Sequence, residues 1–145
     1  MTAKEELRQI REIDMEVKAL EDSLLELETK LTRITPILSD MPKGGGDNDK
    51  IATGISKLVE MKKEYWQRIS QLRDHQKKCE LVIFGLSCSI YRIILYQRYF
   101  KYLSFNDISE MTNYSYRHIC RLHGEALREY ETIKRWQDMS YSEVR

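Results

Sequence analysis

Apolar residues recur along the first quarter of the chain at alternating intervals of three and four positions. The series consists of Ile10, Ile13, Val17, Leu20, Leu24, Leu27, Leu31 and Ile34. A repeat of about 3.5 residues is typical of helices that pack as coiled coils. No Gly or Pro interrupts the run, so we predict a helix from about Ala3 to Ile34. Pro36 should help to end it, because the residue before a proline is displaced from the α region.

Residues 35–49 contain both prolines of the chain and three consecutive glycines, which predicts a loop. A second apolar series follows, in which the polar residues Lys62 and Gln76 occupy two positions where an apolar residue is expected. Its members are Ile51, Ile55, Leu58, Tyr65, Ile69, Leu72 and Cys79. We predict a second helix from about Lys50 to about Phe84. Two long helices joined by a loop favour an antiparallel hairpin. The same series also allows pairing between chains, so a monomer and a coiled-coil-mediated homodimer both stay open.

The last third of the chain predicts shorter helices, and two of them are separated by a tight turn. After a helix capped by Ser87 or Ser89, a short helix is expected over 104–111 and a longer one from Ser115 to about Gln137. Asn113 suits the intervening turn, because Asn tolerates positive φ better than most residues. Ser115 is a favourable N-cap. This order of elements predicts a helix-turn-helix.

The predicted fold class is therefore all-α, with a long antiparallel helical hairpin followed by a compact helix-turn-helix domain. We place the hairpin at 1–84 with its loop at 35–49. The helix-turn-helix domain covers 85–138, and 139–145 is a frayed tail.

The helix that starts at Ser115 is predicted to be amphipathic. At 100° per residue, one face is apolar and contains Ile119, Leu122, His123, Ala126, Tyr130 and Ile133. The opposite face contains Arg117, Arg121, Gly124, Arg128 and Arg135. Such a face is common on solvated surface helices. At the start of a capped helix that follows a tight turn, it also suits the major groove of DNA, where Arg recognises guanine.

We therefore predict five DNA-binding residues. Arg117 and Arg121 would contact bases, and Arg128 would contact phosphates. The remaining two, Tyr116 and His118, lie beside them.

Several of these residues resemble a known pattern. Ile108, the turn, Ser115, Ile119, Arg121 and the pair Ala126-Leu127 resemble the promoter-recognition domain of sigma-70 factors (region 4). Over nearly its full length, the chain resembles small phage and prophage proteins of Gram-positive bacteria that join a coiled coil to such a helix-turn-helix. The segments ITPILSDMPKGGG, DNDKI and YSYRHICRLHGEAL carry this likeness, and the ArpU-type phage late-gene regulators are similar.

The resemblance implies a phage-encoded transcription regulator in the cytoplasm of a bacterial host. Its expected partners are double-stranded DNA and, as a further expectation, the host RNA polymerase. The chain departs from the family pattern in two places: Ser109 replaces a small Ala, and Asn113 replaces the Gly of the turn. At 145 residues it has no promoter-melting region, so it cannot act as a complete sigma factor.

Charge and cysteine content add little to this picture. Residues 1–50 carry 8 Lys/Arg and 12 Asp/Glu, whereas 51–145 carry 16 and 11, which is compatible with a polyanionic partner of the C-terminal part. Three cysteines without a CxxC pair favour a reducing compartment.

The most apolar stretch, 81–96, is shorter than the ~20 residues of a membrane span. We expect a cytoplasmic protein without a membrane partner.

No feature of the sequence predicts an enzyme, a cofactor or a metal site. His75, Cys79, Cys120 and His123 have the spacing of zinc ligands, but Cys79 and His123 lie on apolar faces, where core packing is the commoner role. No nucleophile with a base and an orienting acid is recognisable, so no catalytic residue is predicted. Two other functions stay open: a packaging subunit like the small terminases, and a protein-interaction module that binds no DNA.

Overall fold

The computed structural model describes residues 1–39 and 46–143, and the side chains of 1–34 and 49–143. Within these ranges the regular structure consists of five α-helices. They are α1 (Ala3–Ser39), α2 (Gly46–Phe84), α3 (Ser89–Tyr99), α4 (Phe105–Thr112) and α5 (Tyr116–Glu143). The predicted all-α fold is confirmed. None of the helices in the described ranges combines the length and the apolar composition needed to cross a lipid bilayer.

Helix α1 continues past its predicted end at Ile34 and runs through Pro36 to Ser39. Helix α2 begins at Gly46, before its predicted start near Lys50. The predicted loop 35–49 is therefore helical at both ends, and its centre, 40–45, lies outside the described residues. A proline inside a helix costs about 3 kcal/mol and removes one backbone hydrogen bond, so it disfavours a helix without forbidding it. Pro36 lies one turn from the end of α1, so only a short segment of the helix follows it.

The chain divides into two units, and α1 and α2 each contribute to both. One unit consists of residues 15–73, and the other of 1–14 together with 74–145. These boundaries differ from the predicted one between residues 84 and 85. The difference arises because the first turns of α1 and the last turns of α2 share a core with α3 and α5.

The unit formed by residues 15–73 is an antiparallel helical hairpin. Glu16 on α1 pairs with Arg68 on α2 at 3.0 Å, and Glu28 pairs with Lys62 at 3.3 Å. The residue numbers of the partners on α2 decrease as those on α1 increase, so the two helices run in opposite directions. The predicted apolar series supply the buried side chains of this unit: Val17, Leu24, Leu27, Ile69 and Leu72. The four charged partners are substantially exposed, so burial of these apolar residues is the main stabilising term.

The unit of residues 1–14 and 74–145 has a core made of two clusters. Its central cluster joins the start of α1, the end of α2, α3 and α5. The fully or almost fully buried members include Leu7, Ile10, Ile83, Leu86, Leu95, Ala126 and Tyr130. A second cluster, of Ile94, Ile108, Ile119 and Leu122, packs α3, α4 and α5 together. These two clusters fix the position of the helix-turn-helix elements α4 and α5.

Gln76 stands in an apolar position of the second series and is buried. Its side-chain amide donates hydrogen bonds to the carbonyl of Ile10 at 3.1 Å and to Oδ1 of Asp14 at 2.7 Å. A buried polar group is tolerated when it is hydrogen-bonded. The polar residue therefore interrupts the apolar pattern without leaving an unsatisfied donor at this position.

Two helix ends differ from the prediction. Cys88, not Ser87 or Ser89, is the N-cap of α3, and it makes no side-chain capping hydrogen bond. The hydroxyl of Ser89 instead accepts a hydrogen bond from Arg92 at 3.0 Å. Helix α5 continues to Glu143, past the predicted end near Gln137 and into the predicted frayed tail. No Gly or Pro follows Gln137 to end the helix, and residues 144–145 lie outside the described residues.

Candidate nucleic-acid interface

Helix α4 is the first helix of the predicted helix-turn-helix, and its start is fixed by a reciprocal pair of hydrogen bonds. The Ser104 hydroxyl accepts from the backbone N–H of Asp107, and the Asp107 carboxylate accepts from the backbone N–H of Ser104, both at 3.1 Å. This capping box satisfies two N–H groups that a helix start leaves unpaired. On the inner side of α4, Ile108 is completely buried.

The turn after α4 has the conformation that its sequence predicts. Asn113 adopts the left-handed conformation, with φ 61° and ψ 19°. Hydroxyl groups of two preceding residues bind backbone carbonyls: Thr112 donates to Ile108 at 2.7 Å, and Ser109 donates across the turn to Tyr114. Ser109 stands where the family that this sequence resembles has a small Ala, and its hydroxyl bonds the backbone of the turn.

Ser115 caps α5, as predicted. Its hydroxyl accepts a hydrogen bond from the backbone N–H of His118 at 3.2 Å, and its carbonyl accepts from Ile119 at 2.9 Å. Ile119 is completely buried against Ile94 and Ile108. The cap and this buried residue determine where α5 begins and which of its faces points outward.

The amphipathic character predicted for α5 agrees with the burial of its side chains. Ile119, Leu122, His123, Ala126 and Tyr130 are buried, and Ile133 is partly buried. On the other side, Arg117, Arg121, Arg128 and Arg135 are exposed, with Gly124 partly exposed between them. A Cβ at Gly124 would meet no atom within 4 Å. Internal packing therefore does not require a glycine at this position.

His118 contacts the side chains of Arg121 and Tyr114. An Arg121 guanidinium nitrogen lies 2.9 Å from its Nδ1, and its ring meets the Tyr114 ring edge-on at a centroid distance of 5.0 Å. Because a guanidinium only donates, Nδ1 is the acceptor of this hydrogen bond. His118 thereby orients Arg121 at the surface.

The structure brings the predicted DNA-binding residues to one end of α5, apart from Arg128, which lies about two turns further along. Tyr116 is 52% exposed, and its ring contacts Phe105 edge-on at 6.3 Å. Arg117 and Arg121 are exposed one turn apart, as the spacing of four residues requires.

The four residues with zinc-ligand spacing do not form one site. Among the described residues, His75 and Cys79 come together with Glu6, with ligand atoms within 4.8 Å of one another, and Cys120 and His123 are not part of this group. The Glu6 carboxylate already accepts hydrogen bonds from Lys134, Tyr130 and Cys79. Glu6 is thus compensated by an ammonium group. The buried Nε2 of His75 has no hydrogen-bond partner among the described residues. All three cysteines are free.

Burial shifts the pKa of several groups around Glu6 and of His123. Desolvation raises the pKa of the Cys79 thiol and of the Tyr130 hydroxyl, so both stay protonated and donate hydrogen bonds. Desolvation, reinforced by the positive charges of Lys4, Arg98 and Arg8, lowers the pKa of His123 to about 4. Its Nε2 lies 2.8 Å from the Tyr99 hydroxyl. His123 is therefore a neutral core residue at pH 7.

Two features that α1 contributes to the unit of residues 1–14 and 74–145 were not predicted from the sequence. One is Glu6, whose only signal was its position between the apolar residues Ala3, Leu7 and Ile10. The other is a row of cations at positions 4, 8 and 11, whose helical spacing places them on one face. Comparison with protein-family models, curated proteins and solved structures found no match to this chain.

Proposed function

We propose that this chain is a phage-encoded transcription regulator that binds double-stranded DNA with the N-terminal half of α5, in the cytoplasm of a bacterial host. The observation that carries the proposal is the outward row of Arg117 and Arg121 on a helix that a tight turn and a serine cap position. The sequence resemblance to sigma region 4 and to phage late-gene regulators points to the same function. It also suggests contact with host RNA polymerase.

The chemistry of this face suits the major groove. Each arginine can donate two parallel hydrogen bonds to the O6 and N7 atoms of guanine, and such a pair gives about 1–3 kcal/mol of discrimination between bases. Arg121 is held by His118, which lowers the conformational entropy lost on binding. Arg128, about three turns from the start of α5, would contact the phosphate backbone.

Gly124 gives this proposal a second, charge-independent support. A glycine within a helix costs about 1 kcal/mol relative to alanine, and neighbouring atoms of this protein do not require it. On the arginine face, the missing side chain would allow the backbone of α5 to approach a partner closely. We therefore interpret Gly124 as a residue that serves binding at the expense of stability.

A selection from a random-sequence DNA duplex library tests the proposal. We expect the protein to enrich one sequence, and the double variant Arg117→Ala/Arg121→Ala to lose that enrichment with its helical content unchanged. The matched control is Lys30→Ala/Arg33→Ala, which removes two exposed cations from α1 and should leave selection intact. Arg128→Ala should weaken all sequences alike and reduce the slope of log affinity against log salt by about 1.

Gly124→Leu tests whether close approach of the α5 backbone contributes to binding independently of the arginine charges. It leaves every arginine in place and should stabilise α5, yet we expect it to weaken binding to the selected duplex by about tenfold, equivalent to about 1.4 kcal/mol. Equal enrichment by the protein and by the Arg117/Arg121 variant would contradict the proposal. Absence of any salt-dependent DNA binding would favour a protein-interaction module. A ring of many subunits in light scattering would favour a packaging subunit.

A further inference from the structure

A cavity of about 330 Å³ lies in the unit of residues 1–14 and 74–145, away from the arginine face of α5. The first turns of α1, the end of α3 and the start of α4 line it, and His123 of α5 contributes to its wall. Small-molecule sites start at roughly 300 Å³, so this cavity accommodates a ligand of modest size.

Four cationic side chains line the cavity. Three of them follow one face of α1 and the fourth belongs to α3: Lys4, Arg8, Arg11 and Arg98. Among the described residues no acidic side chain lines it. Two acids interact with lining residues: Asp14, whose carboxylate accepts a hydrogen bond from the Tyr102 hydroxyl, and Glu5, whose pKa is lowered by hydrogen bonds with Thr2 and in smaller part by the charge of Arg8. The cavity is therefore a concentration of positive charge whose lining, in the part of the chain that the structure describes, contains no acid.

Aromatic rings hold two of these arginines without neutralising them. The Arg11 guanidinium lies 5.4 Å from the centre of the Tyr102 ring, and that of Arg98 lies 4.5 Å from the centre of the Phe105 ring. Arg98 also donates to the carbonyl of Leu103 at 3.1 Å. A guanidinium over a ring keeps its charge and most of its N–H groups available. Both arginines are thus oriented before any ligand arrives, which lowers the entropy cost of binding.

The pKa of His123 reflects its burial and the positive charge around this cavity. Its ring is buried beside Tyr99 and Phe105, with centroid distances of 5.8 Å and 4.9 Å. The charged groups that face it are Lys4 and Arg8 from α1 and Arg98 from α3, and the titratable Tyr99 hydroxyl contacts its Nε2. These cations add to the effect of burial in holding the pKa of His123 down. An anion placed among them would oppose that effect.

We propose that this cavity binds a small ligand through a phosphate group, held by Lys4, Arg8, Arg11 and Arg98. A phosphate carries up to two negative charges and accepts several hydrogen bonds, which matches a group of cations from two helices better than a single carboxylate does. The site is independent of the proposed DNA-binding function. Arg117 and Arg121 occupy the exposed side of α5, whereas His123 lies on its buried side.

Calorimetric titration of the full chain tests this site with three probes: inorganic phosphate, adenosine monophosphate and uncharged adenosine. We expect the two phosphate probes to bind and adenosine not to bind. In Lys4→Gln/Arg8→Gln, both residues being exposed, the affinity should fall about tenfold or more. The matched control, Lys18→Gln/Lys30→Gln, removes two exposed cations from α1 outside the cavity and should bind as the protein does.

A second readout distinguishes the cavity from diffuse binding to basic surface. The His123 ring should titrate at higher pH in saturating phosphate than in sodium chloride of equal ionic strength, as followed by its imidazole NMR signals. The proposal is overturned if neither phosphate probe binds, if the control variant loses as much affinity as the cavity variant, or if binding leaves the titration of His123 unchanged. It is also overturned if the cavity variant loses affinity only for duplex DNA, which would make these cations part of a nucleic-acid surface.

Discussion

Asn113 is the position at which the turn between α4 and α5 can be tested most directly. Its backbone is left-handed, with φ 61° and ψ 19°, and its side chain is exposed. For a residue with a Cβ, this conformation costs about 1–2 kcal/mol relative to the right-handed one, and Asn is among the residues that tolerate it best. Replacing Asn113 with Ala removes that tolerance while deleting only exposed atoms. We expect Asn113→Ala to lower the free energy of unfolding by about 1 kcal/mol.

Two further variants identify the backbone as the cause. Asn113→Gly should be as stable as the protein to within about 0.5 kcal/mol, because glycine adopts positive φ without steric cost but has more freedom to lose on folding. Asn106 lies within α4, is also exposed and has no left-handed backbone. Asn106→Ala should therefore be neutral or slightly stabilising, because alanine has the higher helix propensity.

Urea unfolding followed by circular dichroism measures all three variants on the same scale. The expected order of stability places Asn113→Ala below the protein, with Asn113→Gly and Asn106→Ala close to it. If Asn113→Gly loses as much stability as Asn113→Ala, the Asn side chain itself supplies the stabilisation. If Asn113→Ala loses nothing, the turn is not held in the left-handed conformation. Either result refutes the reasoning.

Two other predictions concern buried charge. Because the pKa of His123 is lowered to about 4 from its usual 6.5, the unfolded chain takes up a proton first as the pH falls. His123 should therefore destabilise the fold progressively between about pH 6.5 and 4, by about 3 kcal/mol at the lower end, and His123→Gln should remove this part of the pH dependence in urea unfolding. Lys134→Met leaves the buried Glu6 without its cation and should cost about 2–3 kcal/mol. Adding Glu6→Gln should recover part of that loss in a double-mutant cycle, and a purely additive cycle would contradict the ion pair.

The elements that the sequence predicts well depend on local spacing. The apolar series of α1 and the faces of α5 follow from one helical period, and Ile119 is buried where that period places it. The turn and the cap that follows it could be predicted equally well, because Asn113 and Ser115 act on backbone groups only a few residues away. These features need no knowledge of which helices pack together.

The features that the sequence does not predict depend on contacts between distant segments. Glu6 and Lys134 are 128 positions apart, and neither residue alone indicates a buried partner. The cationic cavity requires α1 to lie beside α3, which no local pattern specifies. The end of α1 was missed for a different reason: the unfavourable effect of Pro36 is a modest energy, which the rest of a long helix can exceed.

The first turns of α1 belong physically to the unit that contains the helix-turn-helix, so the domain predicted from residue 85 onwards cannot be cut out at residue 84. Leu7 is fully buried in the same cluster as Leu95 and Tyr130. The backbone N–H of Ala3 donates to the Glu131 carboxylate at 3.0 Å, which ties the start of α1 to α5. A fragment of residues 85–145 would expose the apolar surface that these turns cover and lose the acid that pairs with Lys134, with a cost of several kcal/mol against a typical total stability of about 5–15 kcal/mol. Loss of DNA binding in such a fragment would therefore measure unfolding, and only the intact chain tests the arginines of α5.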